Sequence, residues 1–530
     1  MTIRKSNFCR ATGAAVAILI ASGFAVVAAE GQSALPARST SATVPQADAC
    51  SVLAGRKVES GLVEGAETFS KGQAIVGGET AGATAGANLC RARLMLQPEP
   101  GSSIKVEVWL PETWNGKMFG FGGAGFDGGL SPGGAQSLNK VVAQGYAAVQ
   151  TDVGHKPVPG LEAWVHKQPE KVVDFGHRGN HLAAVVAKQV IAAYYGNPAK
   201  RSYFLGCSNG GRDALMAASR YPEDYDGIVA GAPARRYLEV LTQLLWYHQA
   251  VHGPGGAPTL ETKLGLVHYA IMKKCDRLDG VNDGIMENPQ RCRFDPAELQ
   301  CKGGDVSTCL TKAEVAAFRK IYGGPQLSSG QQISSGLALG SEGIPNSWTA
   351  WVTTLQTAAF GQEFYRWMVF DDPKWNVEDF KLDRDYPLGR ERVAPIVNVD
   401  SADLTAFARR GGKLIIYQGW DDPIIAPTDT INYYEDIRKH VGSNADEHVR
   451  LFMVPGMGHC AGGSGASSFD MQPELEHWIE QGKAPERVIA IKPDSAEPFS
   501  RPLCAWPKTA RYDGSGSSND AANFNCKAPR

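Results

Sequence analysis

Apolar and polar positions alternate through residues 104–110, with Val106, Val108 and Leu110 on one face, and this period of two predicts a β-strand. Short apolar runs at 117–121 and 145–151 predict two more. The period then lengthens, because alanine, valine and isoleucine recur at helical spacing through 181–195. A strand starting at Arg201 and a short buried strand at 227–230 follow. Strands that alternate with helices imply a mainly parallel sheet, so the expected class is α/β. Between Tyr237 and Asn398 this rhythm stops, and the segment is rich in glycine, aromatic residues and cysteine. It reads as an inserted lid. Apolar strands at 413–417 and 449–454 then restore the sheet.

The strand from Arg201 runs into Gly206-Cys207-Ser208-Asn209-Gly210 and then into a helix. Glycines flank a serine at such a strand-to-helix turn because larger side chains would collide with the neighbouring elements. Ser208 is thereby held exposed as a nucleophile. The N–H of Asn209, at the helix start, can receive a developing oxyanion. Upstream, Gly120-Phe121-Gly122-Gly123-Ala124-Gly125 formally matches a dinucleotide fingerprint, but Phe126-Asp127-Gly128-Gly129 continues as loop where that fingerprint needs a helix. The better reading is a loop after an early strand, supplying a second oxyanion donor from the backbone at about Gly123.

The two late strands end in Gln418-Gly419-Trp420-Asp421-Asp422-Pro423 and Pro455-Gly456-Met457-Gly458-His459. Serine, acid and histidine in that chain order are arranged as in the α/β-hydrolase triad, so an α/β-hydrolase sheet with a large inserted lid domain is expected. His459 would take the proton of Ser208, and a carboxylate would orient the imidazole. Asp421 and Asp422 are adjacent and the loop could present either; Asp422, beside Pro423, is preferred. His155 and His181 precede the serine and break the order.

Basic and acidic residues number 53 and 55, which gives no sign of nucleic-acid binding. Residues 1–29 carry Arg4, Lys5 and Arg10, an apolar run interrupted by Ser22 and Gly23, and then Ala28 and Ala29, as a cleaved secretory signal does. That run is too short to span a bilayer, and no other stretch is long and apolar enough. Residues 30–48 read as a loose leader. An exported protein, secreted or periplasmic, is expected.

Setting aside Cys9 in the signal, ten of the eleven cysteines remain, and disulfides are the default in an oxidising compartment. Proximity suggests Cys50 with Cys90, Cys275 with Cys292, Cys301 with Cys309 and Cys504 with Cys526. Cys207 and Cys460 are left, either bonded beside Ser208 and His459 or present as buried free thiols. Asp276, Asp279 and Asp283 share one short glycine-containing loop with the main-chain carbonyls of Val281 and Ile285, and oxygen donors at that density suit calcium.

Taken together, Gly206-Cys207-Ser208-Asn209-Gly210-Gly211-Arg212, Gly419-Trp420-Asp421-Asp422-Pro423, Gly458-His459-Cys460, Asp152-Val153-Gly154-His155 and the acidic loop resemble the tannase and feruloyl esterase family over most of the chain. The resemblance implies a serine esterase acting through Ser208, Asp422 and His459, with a Cys207–Cys460 disulfide. It also implies a structural calcium ion held by Asp276, Asp279, Val281, Asp283 and Ile285. The expected domains are a core at 49–236 and 399–530 and a lid at 237–398. A branch of the family that acts on a terephthalate monoester carries an aromatic residue three positions after the triad aspartate; Ile425 stands there in this chain and points away from that activity.

The lid holds Trp246, Trp348, Trp351, Trp367 and Trp375 beside Phe360, Phe364, Tyr365 and Phe370. Some of these rings can wall a slot for a flat acyl group, with Arg366 meeting a phenolic or carboxylate oxygen. The expected substrate is a small aromatic ester, hydroxycinnamates ahead of gallates. A peptidase on the same fold and an inactive polyphenol- or carbohydrate-binding relative are the competing classes. Retention of all three triad residues argues against the latter.

Overall fold

The computed structural model describes residues 46–156, 162–303, 307–345 and 347–529, so the expected signal segment and most of the leader lie outside the described residues. Residues 46–48, the last of that leader, already belong to a helix, Gln46–Ser51.

Ten strands form one mixed sheet: β1 Lys57–Val58, β2 Gly61–Phe69, β3 Leu89–Leu96, β4 Ile104–Pro111, β5 Lys117–Phe121, β6 Ala147–Thr151, β7 Arg201–Cys207, β8 Gly227–Gly231, β9 Lys413–Gly419 and β10 Val449–Val454. Their order is β1-β2-β3-β4-β6-β5-β7-β8-β9-β10. From β6 onward every pairing is parallel, while β1 to β4 and the β4–β6 junction are antiparallel. All the strands expected from periodicity are present. β1, β2 and β3 are additional, and their sequences conceal them. Arg91 on β3 is fully buried, its Nη atoms donating to Glu67 at 3.1 Å and to the carbonyls of Gly77 and Val76 at 2.7 and 2.8 Å. A charged side chain at an interior strand position breaks the apolar pattern that announces a strand.

The parallel strands show why a sheet buried on both faces reads as a continuous apolar run. Ile228, Ala230, Leu414, Ile416, Leu451 and Met453 belong to one core with helices Gly179–Tyr195, Asn209–Arg220 and Pro427–Val441. Their neighbours Val229, Ile415, Tyr417, Phe452 and Val454 face the opposite core, with helices Ala135–Val142 and Gln472–Gln481. Period-two alternation thus serves two helical layers at once.

Among the described residues no strand occurs between β8 and β9. That stretch is helical, from Tyr237–Val251 through Leu264–Cys275 and Lys312–Gly323 to Leu382–Arg392, and it closes on a third apolar core that it shares with Phe126, Val153, Phe175, Ile424 and Ile425. Its two ends are joined: the Val399 N–H donates to the Arg235 carbonyl at 2.7 Å, and Arg235 Nη1 donates back to the Val399 carbonyl at 3.1 Å. The insertion therefore leaves and re-enters the sheet at one point.

Two antiparallel hairpins complete the chain, β11 Arg487–Lys492 with β12 Phe499–Cys504, and β13 Thr509–Tyr512 with β14 Phe524–Lys527. Disulfides join Cys50–Cys90, Cys207–Cys460, Cys275–Cys292, Cys301–Cys309 and Cys504–Cys526. Among the described residues no helix is long and apolar enough to cross a membrane.

Candidate active site

β7 ends at Cys207 and the helix Asn209–Arg220 begins two residues later, so Ser208 carries the whole change of direction, at φ 63° and ψ −123°. Backbone in that region is strained for a residue with a side chain and persists only where its surroundings enforce it. Here they do. The Ser208 N–H donates to the Gly231 carbonyl and its own carbonyl accepts from the Arg212 and Ala234 N–H groups, all at 3.0 Å. A Cβ at Gly206 would lie 2.2 Å from the Gly210 carbonyl oxygen, and one at Gly211 would lie 2.3 Å from that of Gly231. Glycine is required at both.

His459 Nε2 stands 2.8 Å from Ser208 Oγ, and its Nδ1 stands 2.8 Å from Asp422 Oδ2. An ionised carboxylate only accepts, so Nδ1 carries the proton and Nε2 is left to accept from the serine hydroxyl. Asp422 is fully buried. Its Oδ1 accepts from the Ile424 and Ile425 N–H groups at 2.9 and 3.0 Å, and its Oδ2 also accepts from Gln418 Nε2 at 3.0 Å. Gln418 is itself oriented by the Thr430 hydroxyl, which donates to its Oε1 at 3.0 Å.

The choice between the adjacent aspartates is thus decided by the turn after β9, which folds two amides onto Asp422 alone. Asp421 is buried elsewhere, and burial first, then the nearby Glu342 carboxylate, push its carboxyl up to about 7. Of the candidate histidines, His459 bonds the serine, and His155 and His181 have other partners. His155 Nε2 donates to the Phe126 carbonyl at 2.6 Å and its ring stacks on Trp164, while His181 Nδ1 pairs with Asp224 at 2.9 Å.

Three expectations need correction. The Gly123 N–H is already committed, donating at 3.2 Å to the buried carboxylate of Asp213 on the elbow helix, so it is not an open oxyanion donor in this structure. The Gly122 and Ala124 N–H groups donate to the Leu205 and Asp127 carbonyls, so they are committed as well. Among the described residues the Asn209 N–H has no acceptor, as expected for the first turn of a helix. Second, Arg366 is held inside the lid by Glu363 at 2.6 Å and by the Trp375 carbonyl at 2.8 Å; Trp367 donates to the same Glu363 at 2.7 Å. Third, the Ile425 side chain is buried in the lid core, and its contribution to the site is the amide on Asp422.

In the acidic loop, each expected carboxylate accepts backbone N–H groups: Asp276 from Gly284, Asp279 from Val281 and Glu287, and Asp283 from Ile285. Asp283 also pairs with Arg501 of β12 at 2.6 Å. Burial, then the charges of Asp283 and Asp276, push Asp279 up to about 6. Among the described residues no three His, Cys, Asp or Glu side chains converge closely enough to hold a metal by themselves. Main-chain carbonyls would have to complete a cage. The oxygen donors of this loop are of the type a hard divalent cation takes, while the Arg501 guanidinium already offsets part of its negative charge.

Comparison with known proteins follows the same lines. The family described as Tannase and feruloyl esterase matches residues 90–527. An uncharacterised esterase of Xanthomonas campestris pv. campestris is 33% identical over 486 residues, spanning 82% of this chain and 84% of that protein. Mono(2-hydroxyethyl) terephthalate hydrolase of Piscinibacter sakaiensis is 32% identical over 497 residues, spanning 80% and 82%. The crystal structure of feruloyl esterase B from Aspergillus oryzae superposes with a TM-score of 0.80 at 26% identity, covering 90% of this chain and 99% of that one.

Proposed function

The chain belongs to the tannase and feruloyl esterase family and is a carboxylic ester hydrolase, and from that premise we propose that it cleaves phenolic acid esters through an acyl-enzyme on Ser208. The observation that carries the mechanism is the placement of His459 between Ser208 Oγ and Asp422 Oδ2, 2.8 Å from each. His459 Nε2 takes the hydroxyl proton as Oγ attacks the ester carbonyl, and Asp422 stabilises the imidazolium through Nδ1. The tetrahedral oxyanion forms against the Asn209 N–H at the positive end of the elbow helix. His459 then protonates the leaving alcohol, and in the second half-reaction it activates the water that releases the acid.

The phenolic preference rests on the rings that meet the glycine loop. The Tyr237 hydroxyl donates to the Gly125 carbonyl at 2.9 Å, and Phe360 stacks on Phe126 with centroids 6.1 Å apart and lies against Trp351. Phe360 and Trp351 are only partly buried. Partly exposed aromatic rings against the glycine loop, which itself packs on the elbow, favour a flat acyl group. The relative that acts on mono(2-hydroxyethyl) terephthalate supports a terephthalate monoester as a second reading. Against it, Arg366 is occupied by Glu363 and is not free to meet a second carboxylate.

Calcium on Asp276, Asp279, Asp283 and the carbonyls of Val281 and Ile285 completes the proposal, supplying positive charge to the acidic loop and no chemistry at Ser208. Five disulfides suit an oxidising compartment, secreted or periplasmic. Comparing kcat/KM for methyl ferulate, methyl gallate, a terephthalate monoester and ethyl butyrate tests the substrate: methyl ferulate should lead. A gallate preference would select a tannase, and equal use of butyrate would remove the aromatic slot.

A further inference from the structure

Arg212 has no role in the chemistry above, yet it is fully buried four residues beyond the nucleophile. Its Nε donates to Asn209 Oδ1 at 2.7 Å, Nη1 to the Gly176 and Val397 carbonyls at 2.6 and 3.2 Å, and Nη2 to the Phe175 carbonyl and Asp213 Oδ1 at 3.1 and 2.9 Å. All its N–H donors are used. The guanidinium also packs on the rings of Phe175 and Tyr237, at 4.7 and 5.4 Å. Its partner Asp213, equally buried, accepts the Gly123 N–H at 3.2 Å.

These contacts converge on the surroundings of the oxyanion. Through Asn209 Oδ1, Arg212 fixes the residue whose backbone N–H faces the developing charge. Through Asp213 it fixes the glycine loop that packs across the elbow, so closely that a Cβ at Gly122 would lie 2.6 Å from Gly210 Cα. Val397 and Tyr237 are the last and first turns of the lid insertion. We infer that Arg212 and Asp213 are positioning residues that hold the elbow amide and the glycine loop in one rigid frame and join that frame to both ends of the lid. A bare structural ion pair would need neither the Asn209 contact nor the Gly123 contact. A desolvated arginine is also costly unless every donor is met, and here each is met by the elbow helix, by residues 175–176 or by the lid end at Val397.

This inference rests on the acyl-enzyme reading at Ser208, and its test separates the two. The rate at which a fluorophosphonate labels Ser208 depends on the nucleophile and the oxyanion pocket and not on the natural substrate. Asn209→Ala keeps the backbone N–H and removes only the acceptor for Arg212; it should slow labelling and lower kcat by roughly 10 to 100-fold, with KM within about twofold. Its melting temperature should fall, because the buried Arg212 Nε–H is left unpaired, so the kinetic loss is read well below the transition, where the variant is folded. Arg212→Lys should slow labelling at least as much, and the double variant should be no slower than the slower single one, because Asn209→Ala has no contact left to remove once the Arg212 Nε bond is gone. Asp213→Asn, which keeps an acceptor for Gly123, should retain more activity than Asp213→Ala. If Arg212→Lys yields no folded protein, Asn209→Ala and the Asp213 pair decide alone. Labelling at the wild-type rate in these variants, or multiplying effects in the double variant, overturns the inference. A wild-type protein that is never labelled at Ser208 overturns the acyl-enzyme reading and the inference with it.

Discussion

Cys207 and Cys460 are bonded although 253 residues separate them, and their Cα atoms lie 6.0 Å apart. Each is the immediate neighbour of a reacting residue, Ser208 or His459. The bond therefore ties nucleophile to base through a path independent of the sheet, and it limits the freedom otherwise lost when the two are aligned. Replacing both cysteines with alanine should lower kcat more than it raises KM. It should also cost about 2–4 kcal/mol of stability. Steady-state kinetics with thermal unfolding checks this; a double variant with wild-type kcat would reduce the bond to a staple.

Ser208→Ala should abolish turnover by several orders of magnitude while leaving the fold intact, since it removes only the attacking oxygen. Asp422→Asn should lower kcat by about 10⁴-fold, because an amide donates where His459 Nδ1–H needs an acceptor. Assaying both against circular dichroism separates lost chemistry from lost structure. Activity surviving in the serine variant would move the nucleophile elsewhere.

Asp421 gives the opposite outcome from its neighbour. Its carboxyl is pushed up to about 7 by burial and by Glu342, with His268 pulling it slightly back. The folded state therefore holds this proton above the pH at which the unfolded chain releases it, and the stabilising contribution, complete below about pH 4, is lost as pH rises through about 7. Asn cannot ionise. Asp421→Asn should melt higher than the wild type at pH 8, lose that advantage towards pH 4, and keep most of its turnover. Melting curves across this range decide the sign.

How much of this was legible depends on the range of the interactions. The elbow and the serine, acid, histidine order are local motifs, and the parallel strands announce themselves by unbroken apolar runs. β2 and β3 do not, because Arg91 is buried beside Glu67 and looks like surface until its partners are known. Asp421 and Asp422 cannot be separated by composition; the amides of Ile424 and Ile425 separate them. Gly123 reads as available in the sequence because Asp213, ninety residues later, is brought to it only by the fold. Arg366 sits in a lid without a clear strand-helix rhythm, but Glu363 three residues earlier is a helical i,i+3 partner, a local signal that a search for aromatic walls passes over.

The acidic loop is braced from outside the lid. Arg501 reaches Asp283 at 2.6 Å while stacked against Phe499 and Phe524, and the Ala510 N–H donates to Glu287 at 3.2 Å. An ion bound only by the folded state stabilises it, by about 2.7 kcal/mol at a hundredfold excess over its Kd. Chelation should lower the melting temperature, and added calcium should restore it. Because the hairpins lean on the same loop, chelation should also speed proteolysis between β12 and β14. An unchanged melting curve after verified calcium removal would argue against the site.

The aromatic slot has its own probe in Phe360. Its ring stacks on Phe126, lies 5.6 Å from Trp351 and comes within 3.7 Å of a Cβ placed at Gly125. Phe126 is fixed in turn, because its carbonyl accepts from His155. An acyl ring entering over the glycine loop would meet a surface that is already oriented, so stacking would require little reordering of the protein. Ring pairs of this kind contribute about 0.5–1.5 kcal/mol beyond burial. Phe360→Ala should therefore lower kcat/KM for methyl ferulate roughly 2 to 12-fold more than for ethyl butyrate. Should both esters suffer equally, the ring serves lid packing alone, and the proposed preference for phenolic acids loses this support.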